Sequence, residues 1–367
     1  RRSSDLIAGR LDFLPIGFGS VTSIGGVGHY CVFHKLRAFK EHLKTEEEKA
    51  RVDVLYDYWQ EHDVKSIYCQ DVLNENTTGR FIDCKYPFMA TARLSGMMLD
   101  YKKLVTLGIN GIIELIQSYP SNEFMLASLE CMKLLKSVIR KQIDLVNQSY
   151  TVDQSRNQDL DLMKQDLEYI LEHKPATFHQ ALQLFWLYAL CAGCINYGRL
   201  DIVLGPFLKH DIDSGLIDEH EAYRYIKSLW KMIENRRTTV NGRIIVGGKG
   251  RENVEACDLF TRICLKVCKD TRYVEPQFTL RFDSNTPKDI MDMAYECIAS
   301  GATYPTLYND DVNVDAVQYA MRVDRKTAEQ YIPFGCGEFV IQGKSVGTPN
   351  TMLNLTKILQ LALNAGY

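Results

Sequence analysis

The sequence has 367 residues, 46% hydrophobic and 24% charged, with a formal net charge of −3. That is enough apolar material for one large buried core or two smaller ones. The near-neutral balance gives no electrostatic case for nucleic acid or an anionic membrane surface, and no apolar run is long enough to span a bilayer. The start, Arg1-Arg2-Ser3-Ser4-Asp5, has neither a methionine nor the apolar centre of a signal peptide, so the chain reads as trimmed at its N-terminus. The eleven cysteines are an odd count in a chain too large for a disulfide scaffold. Free thiols in a reducing, anaerobic compartment fit better.

In chain order, residues 1–33 are Gly-rich and read as loop. His34 to about His62 has the pattern of one charged, amphipathic helix. Helical periodicity returns from Tyr101 to Gln117 and is clearest from Asn122 to Asn147, where Phe124, Leu126, Leu129, Met132, Leu135, Ile139 and Ile143 recur at helical spacing. Further helices are predicted at roughly 153–172, 177–193, 219–235 and 251–268. Val274 to Phe282 reads as a strand. A helix follows to about Ser300, with Pro287 in its first turn. Thr303 to Leu307 is a second short strand, 313–323 a helix, Glu329 to Phe334 a lead into a loop, and a last helix runs from about Thr351. Strands alternating with helices in the final third predict parallel α/β structure.

The familiar ligand motifs fail. Gly343-Lys344-Ser345 resembles the end of a phosphate loop, but Glu338 stands where the earlier Gly is needed. The glycines at 17–28 do not follow a strand and open a helix. His220-Glu221 lacks the second His of a zinc-protease helix. Cys191-Ala192-Gly193-Cys194 has metal spacing without a second ligand pair, so no metal site is expected. Arg236, Arg237 and Arg243 read as solvated structural charges rather than a clamp for a substrate carboxylate.

Pro333-Phe334-Gly335-Cys336-Gly337-Glu338 is the richest segment. Flanking glycines leave the cysteine little cover and free its backbone, and a carboxylate two residues on could exchange a proton in the same cavity. Spacing alone favours a buried structural Cys with a surface Glu. A Cys nucleophile would want a nearby His, and all eight His lie far upstream, which neither supports nor excludes that pairing.

Gly335-Cys336-Gly337-Glu338, followed by Gly343-Lys344-Ser345-Val346-Gly347, resembles the Cys loop of the glycyl radical enzymes, the superfamily of pyruvate formate-lyase and the glycerol, choline and hydroxyproline lyases and dehydratases. Other stretches resemble that superfamily in the same order: Asp5 to Gly9, Asp100 to Leu104, Gln180 to Leu184, Gly198 to Asp201, Arg281 with Asn285-Thr286-Pro287, and Tyr304-Pro305 with Asn309-Asp310. The resemblance implies an α/β fold: a helix-wrapped barrel of two parallel half-sheets set antiparallel, here mainly the helical region and the first half-barrel. Residues 1–367 would form one incomplete domain. A thiyl radical at Cys336 would abstract a substrate hydrogen, with Glu338 as acid/base. Gly96, Cys194, Tyr304, Thr348 and Asn350 would line the substrate pocket.

Gly335 replaces the second cysteine of pyruvate formate-lyase, which favours a radical lyase or dehydratase over a formate acetyltransferase. Gly96 stands at the usual upstream His, Gly193-Cys194 at a His-Ser pair, and Asn350 at a carboxylate. These changes point to a substrate larger or less polar than glycerol. Asn364-Ala365-Gly366-Tyr367 superficially resembles the radical Gly-Tyr motif, but Gly366 reads as a helix stop. The resemblance therefore implies no bound cofactor, a glycyl radical on a downstream glycine outside this sequence, and a chain inactive by itself. A non-catalytic truncated subunit is the remaining alternative. The implied partners are a small-molecule substrate, a radical-SAM iron–sulfur activating enzyme and a second copy in a homodimer, with no nucleic acid or membrane. The implied location is the cytoplasm, either free or inside a bacterial microcompartment.

Overall fold

The computed structural model describes residues 6–8, 35–62, 90–94, 98–192, 196–235, 242–334, 337–342, 344–345 and 349–364, with the backbone alone at 35, 38–39, 90–94, 334 and 349–353. It forms two compact units, residues 1–13 with 98–345 and residues 14–97 with 346–367.

The larger unit begins with four helices: α1 (Tyr101–Gln117), α2 (Glu123–Asn147), α3 (Gln154–Glu172) and α4 (Phe178–Cys191). Each starts on a side chain that accepts from a first-turn N–H, namely Asp100, Asn122, Asp153 and Thr177, which satisfies donors the helix itself cannot. The buried stripe of α2 is Met132, Leu135, Ile139 and Val146, whereas Phe124 and Leu126 stay exposed. α4 is buried along most of its length, from Phe178 to Leu187, as expected of a helix apolar on every side. Its polar members tie it to the chain start. His179 Nδ1 bonds Asp166 at 2.6 Å, and Gln183 Nε2 donates to the Leu6 carbonyl at 2.9 Å.

A parallel sheet then alternates with helices: β1 (Gly198–Arg199), α5 (Leu200–Asp213), α6 (Glu219–Asn235), β2 (Arg243–Gly247), α7 (Val254–Thr271), β3 (Gln277–Phe282), α8 (Lys288–Ala299) and β4 (Thr306–Asn309). The strand order is β1-β2-β3-β4, all parallel, with Ile244 beside Phe278 and Leu280 beside Leu307. This is the expected parallel α/β structure. Ile244, Val246, Phe278 and Leu280 pack on one face into a core with Phe185, Trp186, Leu204, Leu229 and Phe260 from the helices. α9 (Asp310–Met321) and the short α10 (Arg325–Ala328) lead to an antiparallel hairpin, β5 (Tyr331–Phe334) and β6 (Glu338–Ile341).

In the smaller unit, helices Lys35–Lys40 and Glu46–Glu61 pack through Leu36 and Val52, strand Ala90–Leu94 pairs antiparallel with Pro349–Leu353, and helix Leu355–Leu363 follows Asn354. The single helix expected over 34–62 is therefore two, because Thr45 and Glu48 form a capping box that starts a new helix. The helix expected from Thr351 begins at Leu355, after a strand. Pro287 sits just before α8 rather than in its first turn. Gly366 lies outside the described residues. The lead-in from Glu329 to Phe334 contains β5, and α5 and β2 are additional elements. α5 holds despite Pro206 in its interior because Leu200, Val203, Leu204 and Leu208 are all buried.

One buried cluster closes the C-terminal edge of the sheet. Arg281 and Asp310 both have fully buried side chains. Arg281 Nε and Nη2 donate to Asp310 Oδ1 and Oδ2 at 2.9 and 2.6 Å, Nη1 donates to the Tyr331 carbonyl at 2.8 Å, and the guanidinium lies 3.9 Å over the Tyr331 ring. Asp310 also accepts from Tyr331 Oη and Lys249 N, each at 2.6 Å. Arg199 spends its fork on the carbonyls of Gly247, Lys249 and Glu329. Gly248 has a φ of +74°, and a Cβ there would meet Asp310 Oδ2 at 2.3 Å, so only glycine lets this loop approach. The ends of β2 and β3, the start of α9 and the root of the hairpin are thus fixed together. Arg281→Met should cost about 3–5 kcal/mol in urea unfolding, because it strands a buried carboxylate, and Arg281→Met/Asp310→Leu should recover much of that loss.

Candidate active site

The β5–β6 hairpin packs on the face of the sheet opposite the helical core. Side chains alternate along a strand, so Arg243, Ile245 and Gly247 of β2, Gln277, Thr279 and Arg281 of β3, and Thr306 and Tyr308 of β4 share that face. Ile245 forms a buried cluster with Ile332 and Val340 from the two hairpin strands, joined by Met98. Tyr308 meets Phe339 edge-on with ring centroids 5.9 Å apart.

Gly335 and Cys336, which follow Phe334 in the chain, lie outside the described residues. The described neighbours frame their place in the chain. Phe334 is paired with Glu338 in the hairpin register. Gly337 has a φ of +122°, which disfavours any side chain, and a Cβ there would stand 3.5 Å from the Tyr308 hydroxyl. Glu338 opens β6 half-buried, and its Oε2 is shielded from solvent with no hydrogen-bond partner among the described residues. It is not the surface glutamate that spacing alone favoured. A shielded carboxylate oxygen without a donor is costly, and it leaves a site for a proton or a donor from outside the protein.

At the edge where the strands begin, Arg243 is buried, 6% exposed. Its Nη1 donates to Thr279 Oγ1 at 2.9 Å and its Nη2 to Gln277 Oε1 at 3.1 Å. This corrects the expectation of a solvated structural arginine. Arg236 and Arg237 lie outside the described residues. Glu275, 4% exposed, donates its backbone N–H to Glu234 at 2.8 Å, and its Oε2 is buried with no hydrogen-bond partner among the described residues. Burial is the main cause that pushes its carboxyl up to about 7. The Gln277 N–H, Gly242 N–H and Arg243 oppose the shift, and Glu234 adds to it.

Of the expected pocket residues, Tyr304 joins this edge cluster. Burial raises its phenol pKa first, then the charge of Glu275, with Arg243 opposing, and its carbonyl accepts from the Cys268 thiol at 3.4 Å. Gly96, Cys194 and Thr348 lie outside the described residues. The backbone of Asn350 is in the smaller unit, paired with Arg93.

Arg243, Gln277, Thr279 and Tyr308 were not expected in a site. For Gln277 and Thr279 the signal was present as strict alternation, polar 277, 279 and 281 between apolar 278, 280 and 282, whereas Arg243 precedes the unbroken apolar run Ile244-Ile245-Val246. A separate cavity of about 500 Å³ is lined by Asp100, Lys102, Glu252, Asp324, Lys326 and Lys344 among others. Its charges are mixed, and neither Cys nor His lines it. Among the described residues no group of three or more His, Cys, Asp and Glu could hold a metal, the six described cysteines are free thiols, and no helix is long and apolar enough to cross a membrane.

The profile of the family described as pyruvate formate lyase-like matches residues 3–367. The chain is 25% identical over 366 residues to the (2S)-3-sulfopropanediol dehydratase of Klebsiella oxytoca, covering 89% of this chain and 44% of that protein. It is 25% identical over 238 residues to the trans-4-hydroxy-L-proline dehydratase of Clostridioides difficile, covering 59% of this chain and 30% of that protein. The fold is similar to a solved structure concerned with 1,2-propanediol dehydration in Roseburia inulinivorans, with a TM-score of 0.70 at 17% identity, covering 95% of this chain and 47% of that one. The chain thus spans less than half the length of each of these proteins.

Glu275 generates a pH prediction. Its folded pKa of about 7 exceeds the ordinary 4.5, so the folded state prefers the protonated carboxyl. Stability should be full below about pH 4.5 and fall as pH rises to about 7, by roughly 3 kcal/mol at most. Urea unfolding at pH 5 and pH 8 should show Glu275→Gln losing that part of the pH dependence.

Proposed function

The chain belongs to the pyruvate formate lyase-like family of glycyl radical enzymes, and from that premise we propose that it carries the thiyl-radical half of a radical lyase or dehydratase site acting on a small organic substrate. The observation that carries this reading is the shielded Oε2 of Glu338, which has no hydrogen-bond partner among the described residues and stands two residues after Cys336 in the chain, next to the positive-φ Gly337. A carboxylate with one oxygen unbonded to protein can donate or accept a proton at a bound substrate. The relatives' names are in keeping, since the Klebsiella and Clostridioides proteins are dehydratases.

In this reading the Cys336 sulfur radical takes a hydrogen atom from a substrate carbon, forming an S–H and a carbon radical. Departure of a neighbouring hydroxyl as water takes one proton from Glu338, and the hydroxyl on the radical carbon gives one back to Glu338 as it becomes a carbonyl. The S–H then returns its hydrogen atom to the product radical. The wall of Ile245, Ile332, Val340 and Met98 keeps water from the hairpin side of the sheet, which protects radical intermediates from quenching. The radical is generated on the full gene product by a radical-SAM iron–sulfur activating enzyme, and that product acts as a homodimer.

The test is anaerobic activation of the full gene product, followed by electron paramagnetic resonance and a screen of diols, hydroxy acids and amino alcohols. A glycyl signal with dehydration or cleavage of one compound is expected. Cys336→Ser should keep the signal and lose turnover, and Glu338→Gln should lower turnover by about 100- to 10,000-fold, the usual worth of a positioned acid or base. Turnover retained by Cys336→Ser would refute the role of the sulfur, and the absence of any radical would refute the reading as a whole.

A further inference from the structure

We propose that the cavity of about 500 Å³ that flanks the hairpin is a second binding site, and that it takes a small phosphate monoester. The inference uses no residue of the proposed radical chemistry.

The cavity lies within the larger unit. Its walls come from the start of α1, β1 with the start of α5, the loop before α7, and the segments just before β5 and just after β6. Four cations line it, Lys102, Arg199, Lys326 and Lys344, against the carboxylates of Asp100, Glu252 and Asp324. The carboxylates are committed. Asp100 accepts from the Lys103 N–H at the start of α1 and pairs with the Lys103 ammonium at 3.2 Å. Glu252 pairs with Lys102 at 2.9 Å. Asp324 accepts from the Thr327 N–H and hydroxyl at 2.8 and 3.0 Å, which holds its carboxyl below the usual range, with the charge of Lys344 adding to the effect.

The cations are less engaged. Lys344 Nζ donates to the Thr327 hydroxyl, a neutral group, at 3.0 Å. Lys326 makes no hydrogen bond or ion pair among the described residues, although its charge, after that of Lys102, helps to lower the Glu252 carboxyl. Arg199 is the buried member, 2% exposed. Its two Nη atoms donate to three carbonyls, but its Nε is shielded and has no hydrogen-bond partner among the described residues. Burial first, and then Arg281, pull its pKa down to about 10 against Asp201 and Asp310. A buried cation matched this poorly is costly, and an anion in the cavity it lines offsets the cost.

The cation types select the ligand. Lysine ammoniums are compact point charges with rotatable donors, which suit the oxygens of a tetrahedral dianion. A planar carboxylate is better met by an arginine fork, and the fork of Arg199 is already spent on carbonyls. The volume is in the range of small-molecule pockets and exceeds what one phosphate group fills. Ile202 and Val203 give it an apolar wall for the rest of an ester. Lys326 and Thr327 precede β5 and Lys344 follows β6, so an anion held among them braces both ends of the hairpin that carries Glu338.

The test is isothermal titration calorimetry on the unactivated full gene product at fixed ionic strength. The probes are inorganic phosphate, glycerol 3-phosphate, adenosine monophosphate and acetate. Phosphate should bind at one site, and acetate about tenfold or more weakly than phosphate, because it has half the charge and no third oxygen. One of the two esters should bind tighter than phosphate. Glycerol 3-phosphate in front marks a short-chain ester, and adenosine monophosphate in front marks a nucleotide. Lys326→Met and Lys344→Met should each weaken the tighter ester by about three- to tenfold, the worth of a charged hydrogen bond in a half-exposed site. Lys133→Met, at an exposed lysine of α2, should leave it within about twofold. Circular dichroism checks that the variants fold, and Lys326→Met removes no internal bond. The absence of phosphate binding, acetate as tight as phosphate, neither ester tighter than phosphate, unchanged binding in both cavity variants, or an equal loss in Lys133→Met would each overturn the proposal. An ester bound through Lys326 and Lys344 by a protein that shows no glycyl radical would sink the radical reading alone. Radical turnover by a protein that binds no phosphate would sink this site alone.

Discussion

The larger unit depends on the buried ion pair of Arg281 and Asp310. Taking two charges wholly out of water is unfavourable unless every polar atom is met, and here nearly all the capacity is used. Asp310 accepts from two guanidinium nitrogens, a phenol and a backbone N–H, while Arg281 also donates to two carbonyls and stacks on Tyr331. The partners come from a strand end, a helix start, a glycine loop and the first residue of the hairpin. No apolar contact could hold such irregular backbone in one arrangement, because each of these segments has carbonyls and N–H groups that must be bonded when buried. The cluster sets the root of β5, and the register of β5 on β6 then sets Glu338.

The four-stranded sheet divides its two faces by chemistry. The helix side is Ile244, Val246, Phe278 and Leu280, packed with aromatic and aliphatic side chains that have no use for water. The hairpin side carries two arginines, an amide, two threonines and a tyrosine on the same strands. Such a face would be a solvated surface in a simple two-layer protein. Here Arg243, Thr279 and Arg281 are buried, the signature of a sheet that curves around an interior.

Much of this was legible in the sequence where local pattern and final environment agree. The helices at Tyr101–Gln117 and Glu123–Asn147 fall where apolar spacing puts them, because capping side chains and a one-sided core act together. The hairpin was illegible for the opposite reason. Its strands are four residues long and include Pro333, and a cluster assembled from residues 199, 281 and 310 supports them, which no local window contains. Arg243 was misread because β2 was not predicted, and an arginine outside any expected element usually means solvent. Its side chain bonds Thr279 and Gln277, more than thirty residues on in the chain. The Cys336–Glu338 pair became meaningful only through the co-ordered motifs around it, since two residues of spacing do not reveal that Oε2 is shielded.

The order of the cluster along the chain also matters for how the protein is made. Arg199, the Gly247–Lys249 loop, Arg281 and Asp310 all precede Tyr331. During translation, N-terminal segments leave the ribosome first and begin to fold first. The ion pair and its glycine loop can therefore be assembled while the hairpin is still inside the exit tunnel. The hairpin strands then emerge onto a socket whose charged members are already in place, so the apolar side chains of Ile332 and Val340 spend little time without a surface to dock on.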